Sequence, residues 1–168
     1  VTQQLANGDI VISVLPEYIS YFSGSSGIFN RIGTESMLLQ HDALLLHASL
    51  IQYKGKAIAF SGPSGVGKST QAEIWKQCCQ ADILNGDRAL LRKADQGWKA
   101  YGSPYAGTSG IYRNVEGPLA AVVVLRQAKE NRLRRLTAAE AFRYIYPELS
   151  NHNWEKEFTA KVADLALD

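Results

Sequence analysis

The chain has 168 residues, of which 46% are hydrophobic and 20% are charged. This length and composition suit one substantial core, so we expect a single domain over residues 1–168. The formal net charge is only +2, with dispersed lysines and arginines, which argues against a nucleic-acid partner. Because no basic segment precedes a long apolar run, we expect no signal peptide, no membrane partner and a cytoplasmic location.

Residues 1–42 are expected to form an accessory region with one strand and one helix. The alternating apolar residues of GDIVISVLP predict a strand that ends at Pro16. The glycines and serines of YFSGSSGIFNRIG then predict a loop. Thr34 is placed to cap a short helix, and a strand is predicted over residues 44–53.

Lys54 and Gly55 separate that strand from the apolar segment KAIAF, a pattern typical of a tight antiparallel hairpin. KAIAF runs into SGPSGVGKST and then into helix-forming residues. An antiparallel partner for the strand before this glycine segment sets the chain apart from doubly wound sheets, whose strands pair in parallel through helical crossovers. The sequence therefore predicts an α/β fold with a mixed sheet.

A helix is predicted over residues 69–80, with Ala72, Trp75 and Cys79 on one face. Cys78 and Cys79 are the only cysteines, and neighbours on a helix point about 100° apart, which is poor geometry for a disulfide. We expect them to be reduced packing residues. A metal site at this position would need further soft ligands nearby, which the sequence does not provide.

Short strands are predicted at ADIL and ALLRK, on either side of NGD, with a turn at Gln96 and Gly97. The small residues of GSPYAGTSG, residues 102–110, are compatible with a plain loop or with a lid over an acceptor. After Pro118, the apolar run LAAVVVL predicts a strand covered on both faces.

Two helices are predicted near the C-terminus. Thr137 and Glu140 form a capping-box pattern that opens a helix to about Tyr146. The last helix is expected to carry an apolar stripe, and it reaches the end of the sequence without a stop signal, so we expect the natural chain to continue beyond it. The residues of this stripe are Trp154, Phe158, Val162 and Leu165.

The segment from Gly62 to Ser69 matches the phosphate-loop (Walker A) pattern G-x-x-x-x-G-K-[ST] without a departure. Glycines let the backbone adopt positive φ and turn successive N–H groups inward. Lys68 would contact the β- and γ-phosphates, and the Ser69 hydroxyl would ligate Mg²⁺. We therefore expect a nucleoside triphosphate with Mg²⁺, bound by Gly62, Pro63, Ser64, Gly65, Val66, Gly67, Lys68, Ser69 and Thr70.

A second metal ligand is expected from an acid near the end of a neighbouring strand. The strand AVVVL ends in Arg126 and cannot supply it, so Asp87 in ILNGDRALL is the candidate. Asp87 could instead cap the turn made by NGD. Arg113, Arg126 and Arg132 are expected to be surface residues or structural ion partners, and if one of them reaches the phosphates, Arg126 is favoured because it ends a buried strand. The base-reading N-K-x-D motif of a GTPase is absent from the sequence.

The segment LLLHASLIQYKGKAIAFSGPSGVGKSTQAEIWKQCCQADILNGDRALL resembles the nucleotide-binding core of the HPr kinase/phosphorylase family, which is related in fold to phosphoenolpyruvate carboxykinase. The resemblance rests on a histidine on the hairpin strand, the hairpin before the loop, and an acid soon after the loop helix. GSPYAG and LTAAEAF are similar to segments of HPr-kinase-like proteins from bacterial peptide- and metabolite-modifying clusters.

This resemblance implies that Lys68 contacts the transferred phosphate, that Ser69 and Asp87 bind Mg²⁺, and that His47 supports the acid that acts as base. Two positions depart from the family pattern. Gly86 stands where the family commonly has the first of two acids, and Thr70 stands where true HPr kinases carry glutamate. Both departures argue against HPr itself as the substrate. The resemblance also allows a homo-oligomer, which the residue pattern alone does not indicate.

We therefore expect an ATP-dependent kinase that phosphorylates a hydroxyl, such as serine, on a peptide, protein or small molecule, with catalytic Lys68, Asp87 and His47. The sequence alone favours His47 as a core histidine with both ring nitrogens satisfied, and the family resemblance makes the catalytic role an equal alternative. The alternative function is a nucleotide-dependent binding module that transfers no phosphate, which the glycine at position 86 favours. Carboxykinase-like chemistry on a keto acid ranks last, because no second cluster of metal-binding residues is visible.

Overall fold

A computed structural model describes residues 2–7, 9–22, 25–29, 31–105, 107–152 and 154–168. The chain has an α/β fold. Short 3-10 helices lie at Pro16–Phe22, Gly107–Ser109 and Tyr146–Glu148. The strands and helices are β1 (Thr2–Gln4), β2 (Ile10–Ile12), α1 (Ser25–Phe29), α2 (Thr34–Leu39), β3 (Ala43–Tyr53), β4 (Lys56–Ser61), α3 (Lys68–Cys79), β5 (Asp82–Asn85), β6 (Arg88–Ala94), β7 (Gly97–Gly102), β8 (Glu116–Val124), α4 (Ala138–Ile145) and α5 (Lys156–Leu167).

Six strands form a mixed sheet around β3, and β1 and β2 form a separate antiparallel pair. β3 is antiparallel to β4, β5 and β6, whereas β4 and β8 run parallel. β7 is antiparallel to both β6 and β8. The pairings β3, β4, β8, β7, β6 and back to β3 therefore close a ring, and β5 and β6 follow one another along the edge of β3 opposite β4.

The core lies on both faces of β3. Leu46 and Leu50 contribute to one cluster, to which α5 adds Phe158 and Val162. Ile51 belongs to the other cluster, which receives the α3 face. A strand covered on both faces reads as a continuous apolar run, and this explains why the sequence ALLLHASLIQY forms the central strand.

Several expectations from the sequence are confirmed. The strand over residues 44–53 and the helix over residues 69–80 match β3 and α3. Lys54 and Gly55 form the expected tight hairpin, and both have positive φ, at 48° and 74°. β5 and β6 are the expected strands, although β5 includes Asn85 of NGD, and the turn between β6 and β7 lies at residues 95–96, one position earlier than expected. Thr137 and Glu140 make the complete capping box at the start of α4.

The N-terminal expectations are partly wrong. The strand in GDIVISVLP is only three residues long, and Pro16 opens a 3-10 helix. The segment expected to be a loop contains α1. Gly33, not Thr34, is the N-cap of α2, and the Thr34 hydroxyl donates instead to the carbonyl of Phe29 at 2.6 Å. Residues 8, 23, 24 and 30 of these segments lie outside the described ranges.

Three packing expectations are also wrong. In β8, Ala120 and Ala121 are exposed because α3 packs over β3, β4 and β5 rather than over this strand. Cys78 and Cys79 are free, as expected, but both are exposed rather than packed. Trp154 precedes α5, is 84% exposed and stacks on His152, so only the other three residues of the expected stripe are buried.

Across the described ranges, no helix combines the length and the apolar composition that crossing a bilayer requires.

Candidate functional site

Residues 62–67, which we call the glycine loop, connect β4 to α3. Gly62, Gly65 and Gly67 have φ values of 141°, 78° and 110°, which other residues rarely adopt. A Cβ at Gly62 would also lie 3.1 Å from the carbonyl oxygen of Leu125. Gly67 is the N-cap of α3, with no side-chain cap hydrogen bond, so free N–H groups and the positive end of the helix dipole face the loop.

Lys68 is the first residue of α3 and is only 8% exposed. Its Nζ donates to the loop carbonyls of Gly62, at 2.7 Å, and Pro63, at 3.1 Å. Burial lowers the pKa of Lys68, while the negative charges of Glu148 and Asp87 act in the opposite direction and raise it. The ammonium group is therefore held beside the loop and within the field of two carboxylates.

The bend between β5 and β6 is held by the fully buried side chain of Asn85. Its Oδ1 accepts hydrogen bonds from the backbone N–H groups of Asp87, at 2.9 Å, and Arg88, at 2.7 Å. Its Nδ2 donates to the carbonyls of Ser103, at 2.8 Å, and Tyr105, at 3.0 Å. The turn-forming role considered for Asp87 thus belongs to Asn85, which leaves the Asp87 carboxylate available for other contacts.

His47 lies between two carboxylates. Its Nδ1 is 2.9 Å from Oε2 of Glu148, and its Nε2 is 3.7 Å from Oδ1 of Asp87. The other carboxylate oxygen of Asp87 lies 3.8 Å from Nε of Arg88, whose guanidinium also contacts the hydroxyl of Ser150. The His47 side chain is 30% exposed, so it lines a cavity and is not a core histidine.

Glu148 is the site residue that sequence reasoning missed. It lies in the 3-10 helix after α4, 101 positions from His47 along the chain. No motif surrounds Glu148 in the sequence. It comes near His47 only because the following residues pair with β3: Leu149 forms a β-bridge with Leu46, and the N–H of Ser150 donates to the carbonyl of Leu45. The sequence alone carried no signal for this contact.

Two cavities lie on either side of the bend. The first, which we call the helix-side cavity, has a volume of about 520 Å³ and is lined by Ser69, Thr70, Ile74, Gln77, Gly86 and Ile111, among others. The second, the histidine-side cavity, has a volume of about 380 Å³ and is lined by Glu35, His47, Asp87, Arg88, Glu148 and Ser150, among others. Consecutive bend residues thus face different cavities, Gly86 the first and Asp87 the second.

The segment over residues 102–110 packs directly on the bend, and Ala106 in it lies outside the described residues. Gly107 has φ 55°, and a Cβ built on it would lie 2.6 Å from Cβ and 2.8 Å from Cγ of Asp87. The glycine therefore leaves room for the Asp87 side chain. Together with the bonds from Asn85, this contact fixes the segment against the candidate site.

The arginines have other contacts. Nη1 of Arg126 lies 3.3 Å from the hydroxyl of Tyr144, with its guanidinium over that ring. Arg113 pairs with Asp82. Within the described part of the chain, no group of three or more His, Cys, Asp or Glu residues is arranged to hold a metal ion by itself.

A comparison with protein families finds a match to this chain. The model described as "SynChlorMet cassette protein ScmC" matches residues 34–164, which is most of the chain. The chain belongs to this ScmC family. The matched range runs from α2 into α5 and includes the glycine loop, His47, Asp87 and Glu148. No curated protein matches the chain.

The contact between His47 and Glu148 predicts the tautomer of the neutral imidazole. Because Nδ1 faces a carboxylate acceptor, the proton should reside on Nδ1 and Nε2 should be the unprotonated nitrogen. Nitrogen-15 NMR of the neutral ring should show this tautomer in the wild type. Glu148→Ala should abolish the preference, whereas Glu35→Ala, which removes another carboxylate from the same cavity, should keep it. A dominant Nε2–H tautomer in the wild type would contradict the assignment.

Proposed function

We propose that this chain is a kinase of the HPr kinase/phosphorylase type, which uses ATP and Mg²⁺ to phosphorylate a hydroxyl group on a peptide, protein or small molecule. Serine is the expected acceptor residue. The observation that carries the proposal is that β3 holds the start of the glycine loop beside the Asp87 bend, since Ala48 pairs with Ser61 and its N–H donates to the carbonyl of Asp87 at 2.9 Å.

The loop supports triphosphate binding through its backbone and its lysine. Three positive-φ glycines and the uncapped N-terminus of α3 supply N–H donors for phosphate oxygens. The Nζ of Lys68 is already desolvated, and in the proposed complex it exchanges the carbonyls of Gly62 and Pro63 for phosphate oxygens. A charged acceptor makes a stronger hydrogen bond than a neutral carbonyl, so this exchange favours the anion.

Mg²⁺ is proposed to bind the hydroxyl of Ser69 and the carboxylate of Asp87. Both supply oxygen ligands, which Mg²⁺ prefers, and this ion is commonly held by one or two protein groups together with phosphates and waters. The small number of protein ligands at this site is therefore compatible with Mg²⁺. The ion would neutralise charge on the transferred phosphoryl group.

In the proposed reaction, the acceptor oxygen forms a bond to the γ-phosphorus as the bond from that phosphorus to the β–γ bridging oxygen breaks. ADP leaves, and the proton of the acceptor hydroxyl passes to the carboxylate of Asp87. Because the transition state of phosphoryl transfer is loose, this proton can leave late, so positioning and charge stabilisation are the main contributions. The Arg88 guanidinium lies on one side of the Asp87 carboxylate and the His47 ring on the other.

A second candidate function is a nucleotide-dependent binding module without phosphotransfer. It is favoured by Gly86, which lines the helix-side cavity together with Ser69 and brings no carboxylate to it. ATP binding by the wild type without transfer to any peptide or serine-like metabolite would support this candidate over the kinase.

Substituting Lys68 tests the triphosphate site. Lys68→Ala removes charge-assisted hydrogen bonds worth roughly 1.5–3 kcal/mol, so Mg-ATP affinity should fall about 10- to 100-fold in calorimetry. Lys76→Ala is the matched control, because Lys76 is an exposed lysine two turns further along α3. Equal Mg-ATP affinities in the wild type and Lys68→Ala would contradict the assignment of the glycine loop as the triphosphate site.

Gly107 offers a test of Asp87 that leaves Asp87 itself unchanged. Gly107→Ala should push the carboxylate out of position and lower phosphoryl transfer on the order of 10²-fold, since small misplacements of reacting groups cost about that much. Gly110→Ala is the control, because Gly110 has a similar φ of 65° but nothing within 4 Å of the added Cβ. Transfer rates measured by phosphate-release and mass-spectrometric assays should separate the two variants. Equal losses would show that backbone strain, not Asp87, is responsible.

A further inference from the structure

Apart from Ser69 at its opening, the helix-side cavity has no role in the reaction described above. Its volume of about 520 Å³ is within the range of about 300–1,000 Å³ that is usual for small-molecule sites. It begins at Ser69 and Thr70, directly after the glycine loop, and extends along one side of α3 to Gln77. A ligand held by the loop would therefore have a continuous path into this cavity.

The orientation of a bound triphosphate follows from the positions of the two cavities. Asp87, which takes the acceptor proton in the proposed reaction, lines the histidine-side cavity together with Glu148, so the phosphate that reacts must lie toward that side. The lysine of such a loop contacts the β- and γ-phosphates. The α-phosphate end must then point the other way, past Ser69 and toward Thr70 at the opening of the helix-side cavity.

The walls of the cavity have the chemistry that a nucleobase requires. Ile74, Ile83 and Ile111 give apolar surface from three different segments, namely α3, β5 and the chain before β8. Small-molecule sites commonly combine such apolar walls with a few polar groups that fix orientation. On the side of the sheet, the buried Ser49 hydroxyl donates to the carbonyl of Gly86 at 3.2 Å.

Two polar side chains stand on the α3 wall one turn apart. Nε2 of Gln77 donates to Oε1 of Glu73 at 3.1 Å. This contact orients the amide so that its carbonyl oxygen acts as an acceptor, whereas the second Glu73 oxygen lies 3.7 Å from Nζ of Lys76. The wall thus presents the Gln77 carbonyl oxygen as an acceptor, which matches the exocyclic amino group of adenine.

We infer that the helix-side cavity binds the nucleoside of the triphosphate, with the base between the isoleucines and its exocyclic amino group toward Gln77. This inference rests on the proposed function, because it takes the phosphates to occupy the glycine loop. It assigns a site to the nucleoside, and it explains why the protein would prefer bases that carry an exocyclic amino group. The histidine-side cavity is then left for the hydroxyl acceptor.

The test compares Mg-ATP with inorganic tripolyphosphate, which carries the phosphates but no nucleoside. Ile74 and Gln77 are both exposed, so the double variant Ile74→Ala with Gln77→Ala should fold normally. Losing an apolar contact and a hydrogen bond, each worth about 1 kcal/mol, should weaken ATP about tenfold or more. Affinity for tripolyphosphate should stay within about twofold, because the loop is unchanged.

The matched control is Cys78→Ala with Cys79→Ala, two exposed positions on α3 outside the cavity, which should bind both ligands like the wild type. Inosine triphosphate, which lacks the exocyclic amino group, should bind the wild type more weakly than ATP, and this difference should vanish in Gln77→Ala. An unchanged ATP affinity in the double variant, or equal losses for ATP and tripolyphosphate, would overturn the nucleoside site. Failure of the wild type to bind either ligand would instead overturn the proposed function.

Discussion

The candidate site depends on one residue of β3, Ala48, which contacts both the strand before the glycine loop and the bend that carries Asp87. Ala48 is the register partner of Ser61, the last residue before the glycine loop. Its N–H also donates to the carbonyl of Asp87 in the bend, at 2.9 Å. A central strand therefore fixes the start of the loop and the acidic bend at the same level of the sheet, so their distance does not depend on flexible loops.

Side-chain hydrogen bonds reinforce this junction. The hydroxyl of Ser61 donates to the carbonyl of His47, and the hydroxyl of Ser49 donates to the carbonyl of Gly86. Ser49 and Ser61 are both buried, and buried hydroxyls of this kind are costly to leave unpaired. The backbone beneath the site is thus rigid, while the groups proposed to act, such as Lys68 and the Asp87 carboxylate, project from it into the cavities or beside the loop.

The charges of the site are balanced around Lys68. Burial alone disfavours its ammonium form, and the carboxylates of Glu148 and Asp87 partly offset that penalty. Arg88 in turn lies beside Asp87. A bound triphosphate would add negative charge near Lys68 and strengthen its protonated form, so ligand binding and the charge state of this lysine are coupled.

The parts of the fold set by neighbouring residues could be predicted from sequence. The hairpin at Lys54 and Gly55, the helix after the glycine loop and the capping box at Thr137 each depend on contacts over a few residues. Long-range contacts could not be predicted. Glu148 reaches His47 only through the pairing of the chain near β3, and the burial of β8 depends on which strands α3 covers.

Other predictions were wrong because two nearby residues both suited the same structural position. Asn85 and Asp87 both suit a turn, and only burial shows that Asn85 forms it while Asp87 faces the cavity. Gly33 takes the cap position of α2 with φ 68°, although the adjacent Thr34 is a better cap by residue preference. The placement of Lys68, Asp87 and His47 near one another followed the family resemblance, whereas the separation of Gly86 and Asp87 into two cavities required the three-dimensional arrangement.

The proposed nucleotide site is tested most directly by a crystal structure with Mg²⁺ and a non-hydrolysable ATP analogue. We expect phosphate oxygens within hydrogen-bond distance of loop N–H groups, with Nζ of Lys68 moved from the carbonyls of Gly62 and Pro63 to the phosphates. We also expect Mg²⁺ to be bound by Ser69 and Asp87. A nucleotide bound elsewhere, with Lys68 still on those two carbonyls, would contradict the proposed site.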